Sequence, residues 1–556
     1  MKIRRYLILF AIAVCSTFVF FSCQDLDLQY EGGTLDDEQI QDAVEAIPER
    51  INSAVSGMYA ILGKPDGFFM RGSTARADDF GYPCMALGQD LNSGDMINPV
   101  SDYDWFSVAL EWTDRTPTYA NPMIRFGLPY RVLYATIDVL SAIPDDTDNA
   151  ELKSKRGQAK ALRAFSYLSL SPYFQFKYKG NEDKPSIPLI EGGTDPRDNP
   201  RVLLSELYEK IIEDLTDAIA DLDGFNRPNK GVIDQKIAYG LRARAYLYME
   251  EWEKAAADAD KALTGYTPYA MNELKSPGFY NANDHNWMWA LLLPSDVIDG
   301  AAEPLASWPS QLGSFSGYGY VAYAGIYRSI NVLLWNKIPA SDVRKAWWLD
   351  ENKTSPYLEG LIWRDIDAGI DYVGQEIPEA SIPDVKEPMG KYANVKFGQR
   401  SGIGSPYNEG DWCMMRAEEM ILIKAEATAK AGNLAGGKQI LENFVKSNRD
   451  PEFVSTAVSM EAFSDEVWLQ RRIELWGEGF AMSDVMRLGK NVVRFHPGAE
   501  TNVPERYQFN MSSSDPWMLL RFVQTETTNN IAIEQNTGGS EPKQGDGASL
   551  RDGVTD

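Results

Sequence analysis
The chain has 556 residues, 44% of them apolar and 24% charged, far more than one small core needs and too apolar for a disordered tail. It carries 54 Lys and Arg against 80 Asp and Glu, a net charge of −26, which excludes nucleic acid held by counterion release and anionic lipid held by charge. Two histidines, His285 and His496, and four cysteines leave little material for a zinc site, a histidine base or a thiol protease.

At the N-terminus, Lys2, Arg4 and Arg5 precede an apolar run from Leu7 to Phe21, then Ser22 and Cys23. Those are the basic, apolar and small-residue zones of a secretory signal, and the run is too short for a transmembrane span of about 20 residues. A small residue before a cysteine suits a lipoprotein signal peptidase. Residues 1–22 are therefore expected as a signal peptide, Cys23 as the lipidated first residue of the mature chain, and 23–40 as an anchored linker. The alternative is ordinary secretion without a lipid. Cys84 and Cys413 are then either a disulfide of an oxidising compartment or two buried thiols.

From 41 to 265 the chain reads as helices. Ala43, Ile47, Ile51, Ala54, Val55, Met58 and Leu62 recur at helical spacing, predicting one helix from Gln41 to Leu62 before Gly63 and Pro65. Further helices are expected over Ile124–Ile143, Glu151–Phe174, Leu203–Leu222, Asp234–Glu250 and Trp252–Leu263, paired as hairpins. Counting from Ala243, Tyr246, Ala255, Ala259 and Ala262 follow at +3, +12, +16 and +19, spacings similar to a tetratricopeptide repeat. Ala425, Gly437, Leu441 and Phe444 echo the 0, +12, +16 and +19 positions. Small residues there let helices pack closely, and such repeats bury a core only by stacking. The expected fold is all-α dominated: a tetratricopeptide-like helical scaffold with an irregular, loop-rich insert containing short strands.

That insert spans 266–410, where the periodicity fails and Gly, Pro, Ser and aromatics take over; a helical C-terminal region follows over 411–556. Within the insert, Asn286–Leu293 reads as a strand with Trp287 and Trp289 in the core. Signals for other chemistries weaken on inspection. Gly432–Lys438 fits part of a phosphate loop, but Gln439 stands where Ser or Thr should hold magnesium and the segment joins two helices. Gly317–Ala322 follows no buried strand and reads as an aromatic loop rather than a dinucleotide fingerprint. Asp365, Asp367, Asp371 and Glu376 take positions 1, 3, 7 and 12 of a calcium loop, yet the turn glycine is misplaced at Gly369. No cofactor, metal or catalytic residue is expected.

Five segments in order carry a family resemblance. Cys23 is followed by Asp25 and Asp27; then come Ala161–Tyr167, Ala243–Tyr248 leading into Trp252, Arg416–Ala427, and Gln470-Arg471-Arg472-Ile473-Glu474-Leu475-Trp476-Gly477-Glu478-Gly479-Phe480 with Asp484, Arg487, Leu488 and Gly489. Together with the closing Gln535-Asn536-Thr537-Gly538, they resemble the SusD/RagB family of outer-membrane nutrient-binding lipoproteins along nearly the whole chain. Arg521–Thr525 departs from the family's usual apolar run, which leaves the packing of the C-terminus open. The resemblance implies a surface lipoprotein that captures an oligosaccharide, less often a peptide, and acts as a lid on a SusC-like TonB-dependent transporter. Glu474 and Glu478, one helical turn apart, are expected to pair structurally with Arg471, Arg472 or Arg487. Asp342 and Arg344 are also expected to be structural, and Trp347 and Trp348 to be packing residues on a helix.

Sugar rings lay C–H faces on aromatic rings and need polar partners for their hydroxyls, so aromatics in polar, Gly-rich loops are the ligand candidates. One set is Trp308, Phe315, Tyr318, Tyr320, Tyr323 and Tyr327 with Gln311 and Arg328. The other is Tyr82, Trp105 and Trp112 with Asn92, Asp95 and Arg76. Each has core packing as its alternative. An acidic surface tolerates neutral glycans better than uronates or sulfated polymers. Capture of peptides on the same fold is the second expectation. A surface glycoside hydrolase, which needs two carboxylates in one cleft, is the third.

Overall fold
The computed structural model describes residues 37–63, 76–99, 104–274, 277–294, 305–316, 321, 325–358, 361–365, 370–374, 389–403, 405 and 407–556, those of 361–365 and 370–374 by backbone alone. Cys23, Tyr318, Tyr320 and Tyr323, with the whole of 1–22 and 23–36, lie outside the described residues.

The expected first helix is two. Helix α1 (Asp37–Ala46) stops before Pro48, whose missing N–H and fixed φ suit the start of a 3-10 turn over Pro48–Ile51, and α2 (Asn52–Gly63) follows. Ile51, Met58 and Leu62 are still buried on one side, so the apolar phase survives the break that the proline imposes. Helix α3 (Tyr82–Asn92) leads to the short strand β1 (Met96–Ile97) and to α4 (Ser107–Glu111). The scaffold proper then runs through α5 (Ala120–Ser141), α6 (Ala150–Phe174), the β2–β3 pair (Pro185–Pro188, Arg201–Leu203), α7 (Leu204–Asp221), α8 (Gln235–Met249) and α9 (Trp252–Ala262).

Caps and ion pairs fix this register. Asn149 Oδ1 accepts from the Glu151 and Leu152 amides at the start of α6, and Asp234 caps α8 through the Ile237 amide. Arg163 bonds Asp214 at 2.6 and 2.7 Å, holding α6 to α7. The repeat anchors Ala243, Ala255, Ala259 and Ala262 are fully buried, and Tyr246 nearly so.

The insert adds β4 (Trp287–Leu291), α10 (Trp308–Gln311), β5 (Ser329–Ile330), α11 (Val332–Trp335) and the β6–β7 hairpin (Leu361–Asp365, Ile370–Gly374). Trp347 and Trp348 lie on and just after a 3-10 turn (Val343–Trp347) rather than an α-helix. Strand β4 pairs antiparallel with β8 (Trp412–Arg416), with Ala290 opposite Cys413 and Leu291 opposite Trp412, and Trp287 and Trp289 are buried as expected. The chain closes with α12 (Ala417–Lys430), α13 (Leu434–Asn448), α14 (Met460–Glu474), α15 (Ala481–Leu488) and α16 (Gln524–Asn529). Gly432–Lys438 covers the end of the turn after α12 and the first residues of α13, where Asn433 caps the helix through the Gly436 amide; a helix and not a strand precedes it, as the sequence indicated. Predominantly helical, with four two-stranded sheets among the described residues, the architecture matches a repeat scaffold carrying a loop and strand insert. Cys84 and Cys413 are both buried free thiols, which settles the choice left open between them and a disulfide.

Candidate functional site
The two ligand-candidate sets meet. Strand β1 pairs antiparallel with β5, Met96 opposite Ile330 and Ile97 opposite Ser329, which brings the segment after α3 against the end of the insert. Just beyond β1, the buried Asp104 carboxylate accepts from Arg328 Nη1 and Nη2 at 3.0 and 3.2 Å, from Asn98 Nδ2 at 3.0 Å and from the Phe106 amide at 2.5 Å. Arg328 Nε donates to the Gln311 carbonyl, and Asn394 Nδ2 donates to the Leu312 and Arg328 carbonyls. A fully buried Asp–Arg pair with this many further bonds makes a stiff floor.

Trp105 follows Asp104 in the chain, and Arg76 lies over its ring. The Arg76 guanidinium lies 4.7 Å from the Trp105 ring centroid and bonds both oxygens of Asp78 at 2.9 and 3.1 Å. Burial raises the Asp78 carboxyl pKa, and Arg76 pulls it back. The Arg76 side chain keeps 23% of its surface and Trp105 is half-buried, so an aromatic ring and a planar cation are both within reach of solvent.

The remaining candidates are placed differently. Trp308 is 2% exposed; its Nε1 donates to the Gly410 carbonyl at 2.9 Å, and its ring meets the Trp412 and Phe397 rings at an angle. Gln311 is buried, its Nε2 donating to the Leu305 carbonyl while Oε1 lacks a hydrogen-bond partner among the described residues. Phe315 and Tyr327 pack with Val321 and Leu349 in a small core of their own. Asn92 is fully buried, donating to the Ala109 carbonyl and Asp114 and accepting from Arg125. Trp112 is buried beneath the Arg115 guanidinium, and Asp95 pairs with Arg472 at 2.5 Å. Tyr82 packs its ring against Phe165 of α6 at 5.1 Å, facing the scaffold, and burial pushes its hydroxyl up to about 12. Arg76 and Trp105 are thus brought together at the surface, while Trp308, Gln311 and Asn92 belong to the interior that supports them.

Behind the site lies a buried ionic lattice whose partners the sequence does not reveal. Glu474 accepts from Arg344, Arg416 and Arg449; Glu478 accepts from Arg416 and Lys396; Glu418 accepts from Arg449 and Asn286. Arg344 also bonds Asp342 at 2.6 Å, which confirms that pair as structural. The expectation for Glu474 and Glu478 is corrected in its partners. Arg471 goes to Asp484, Arg472 to Asp95 and Asp552, and Arg487 to Asp484 and Glu426. Arg472, two residues before Glu474, leaves the helix on the opposite side, whereas Arg471, three residues before it and on the same side, is taken by Asp484. Burial opposes ionisation of Glu474, but the guanidinium groups of Arg449 and Arg416 hold its carboxyl well below the ordinary range. Gly479, at φ +87°, turns the chain where a Cβ would stand 2.4 Å from that of Ala86, and its amide donates to Asp90.

The sequence reading passed over one concavity. Trp335, Lys345, Trp348, Asp350, Thr354 and Tyr357 help line a cleft of about 470 Å³. Of its lining residues the sequence marks Asp342 and Trp348, and those as structural and packing residues. Among the described residues no group of three or more His, Cys, Asp and Glu is placed to hold a metal, and no helix is long and apolar enough to cross a membrane.

A sequence model of the SusD family matches residues 372–540. Among solved structures, a SusD-like carbohydrate-binding protein from Bacteroides vulgatus is 22% identical with a TM-score of 0.68, the match covering 87% of this chain and 96% of that one. A SusD superfamily protein from Bacteroides thetaiotaomicron is 20% identical with a TM-score of 0.66, over 88% and 99%. A laminarin-binding SusD-like protein is 19% identical with a TM-score of 0.60, over 88% and 99%. No sequence among curated proteins matches. At these identities the structural likeness is one of fold. The matched segment holds the Arg471–Gly479 signature that closes the buried lattice; over residues 372–540 the chain is similar to the SusD family, and its fold is similar to that of SusD-like proteins.

Proposed function
We propose that this protein captures neutral oligosaccharides at the Arg76–Trp105 face and passes them to a SusC-like TonB-dependent transporter, held at the outer membrane by a lipid on Cys23. The observation that carries the reading is the half-buried Trp105 ring under the Arg76 guanidinium, set on the buried Asp104–Arg328 pair. An aromatic platform with adjacent hydrogen-bond donors suits a sugar ring, whose apolar face stacks while its hydroxyls accept. The laminarin-binding relative of the same fold adds support for a glycan. Net charge favours neutral polymers over acidic ones. Tyr318, Tyr320 and Tyr323, in the segment leading to Arg328, are proposed as further stacking residues. Trp308, Gln311 and Asn92 act from beneath, and Tyr82 from the scaffold side.

Calorimetric titration of the chain downstream of Cys23 with neutral, uronate and host-type glycans and a peptide digest tests this. Binding of a neutral glycan in the micromolar to millimolar range, about −4 to −8 kcal/mol, is expected. Trp105→Ala should weaken it at least about tenfold with the fold intact. Peptide binding without glycan binding would replace the reading with peptide capture. The anchor has its own test: Cys23→Ala should release the protein from the membrane fraction.

A further inference from the structure
The Arg76–Trp105 face presents a guanidinium whose counter-charge is hidden. Arg76 Nε and Nη2 donate to the two oxygens of Asp78 at 2.9 and 3.1 Å, a bidentate fork, while the Arg76 side chain keeps 23% of its surface and that of Asp78 keeps 2%. A ligand can therefore touch the cation but not the carboxylate that balances it. Asp78 is held from behind: the Asp79 amide donates to the Arg76 carbonyl at 3.0 Å, closing the turn, and Cys84 Sγ, at the start of α3, donates to the Asp78 carbonyl at 2.7 Å. Burial opposes ionisation of Asp78, and Arg76 is the first of the groups that restore it. Arg125, the next cation in its field, is already taken by Asp114 at 2.6 Å.

The second cation near this face, Arg328, is matched in the same way by Asp104, both fully buried. Each of these two positive charges thus has a buried acid against it. A guanidinium without such a partner attracts carboxylates and sulfates, whereas one balanced from the inside offers its N–H donors with little net field. Sugar hydroxyls still gain from those donors, and an acidic sugar gains little more. We infer that Asp78 is a specificity-determining residue of this face: by cancelling the Arg76 charge from within the fold, it makes the face take neutral sugars and pass over uronates. This role rests on the glycan reading above, to which it adds the residue that sets the charge class of the ligand.

The test follows the Trp105 fluorine resonance, assigned by Trp105→Phe, in the chain downstream of Cys23 labelled with 5-fluorotryptophan. Linkage-matched pairs are titrated at about pH 7.5, where uronates are ionised: mannotriose with trimannuronate, galactotriose with trigalacturonate, glucotriose with triglucuronate. In the parent chain the neutral member of the best-bound pair should bind more tightly. Asp78→Asn keeps the shape of the side chain and removes its charge, so the ratio of affinities should move toward the uronate by about tenfold or more. In Arg76→Gln/Asp78→Asn both charges go together; both sugars should weaken, and the ratio should return to within about threefold of the parent's. The double variant leaves no buried charge unmatched, so it decides the matter even where Asp78→Asn fails to fold. If its ratio falls about tenfold further against the uronate, Arg76 acts as an unbalanced cation in the parent and the role of Asp78 is overturned. An Asp78→Asn chain that loses affinity for both sugars alike reduces Asp78 to a brace of the fold. A parent that prefers the uronate also overturns this role while leaving glycan capture standing. If no saccharide moves Trp105, both readings fall.

Discussion

Glu474 is the residue on which the interior turns, because three guanidinium groups share its two oxygens with no water between them. Removing one partner of a buried charge cluster costs about 3–5 kcal/mol, since the remaining charges stay desolvated and unmatched. Glu474→Gln should therefore lower the urea midpoint by a corresponding amount, and a loss under about 1 kcal/mol would mean that Glu418 and Glu478 take over its load. The lattice also sets a pH dependence. Burial opposes ionisation of Glu478, Asp484 and Asp552 as it does of Glu474, yet adjacent Arg groups, with Lys396 at Glu478, keep all four carboxyls below their ordinary values. Their contribution is complete above about pH 4.5, the unfolded value, and is lost as pH falls through the folded values. Asp90 runs the other way. Burial pushes it up to about 7, against the amides of Gly479 and Ala481. Its contribution is complete below about pH 4 and is lost as pH rises through 7. Thermal melts should peak near about pH 4.5, falling on the acid side and declining gradually up to about pH 7; a Tm that climbs steadily from pH 5.5 to 8 would show that Asp90 ionises in the fold without penalty.

Helix contacts put opposite signs on two glycine substitutions. Gly437, where α13 crosses α12, has no room for a methyl: a Cβ would stand 2.6 Å from that of Ala429 and 2.7 Å from the Ala425 carbonyl. Gly437→Ala should cost about 1–3 kcal/mol by forcing the helices apart. Gly57, exposed within α2, has nothing within 4 Å of its would-be Cβ, so Gly57→Ala should add about 0.5–1 kcal/mol through backbone entropy and helix propensity. Denaturant midpoints of the two variants read both signs. These helices were legible because period and small-residue spacing are local properties of a sequence, and Ala243, Ala255, Ala259 and Ala425 are buried where that spacing puts them. The break at Pro48 escaped because Ile47 and Ile51 keep the apolar phase across it. The candidate site was legible only in part. Arg76 and Trp105 stand out as polar-segment residues, but the burial of Trp308 comes from Gly410 and Trp412, about a hundred residues on, and the acceptors Glu474 for Arg344 and Glu478 for Lys396 lie at the end of α14 and in the turn after it, beyond the insert. Such partners are properties of the tertiary fold and leave no mark on local pattern.

At the scale of the whole chain, the C-terminal segment fastens parts that the sequence keeps far apart. Phe522, within the stretch that departs from the family pattern, stacks on Phe174 of α6 at 4.6 Å and meets Phe126 of α5 edge-on. The closing Gln-Asn-x-Gly explains how it is held. Gln535 Oε1 accepts from the Phe522 amide while its Nε2 donates to the Phe522 carbonyl, and Asn536 Nδ2 donates to the carbonyls of Phe174 and Leu520. Farther on, Asp552 accepts from Arg472, which also binds Asp95 beside β1. The tail therefore reaches both the scaffold helices and the segment beside β1, and one buried core runs from Val44 to Val523. Asn536→Ala leaves two carbonyls short of a donor and should cost about 1–3 kcal/mol. Truncation before Gln535 should do more, removing the clamp on Phe522 and the second carboxylate of Arg472 together. Because these contacts bridge segments and do not form a unit of their own, calorimetry should find the main endotherm displaced to lower temperature. If truncation instead deletes a separate endotherm and leaves the main one in place, the tail folds on its own and does not brace the segment beside β1.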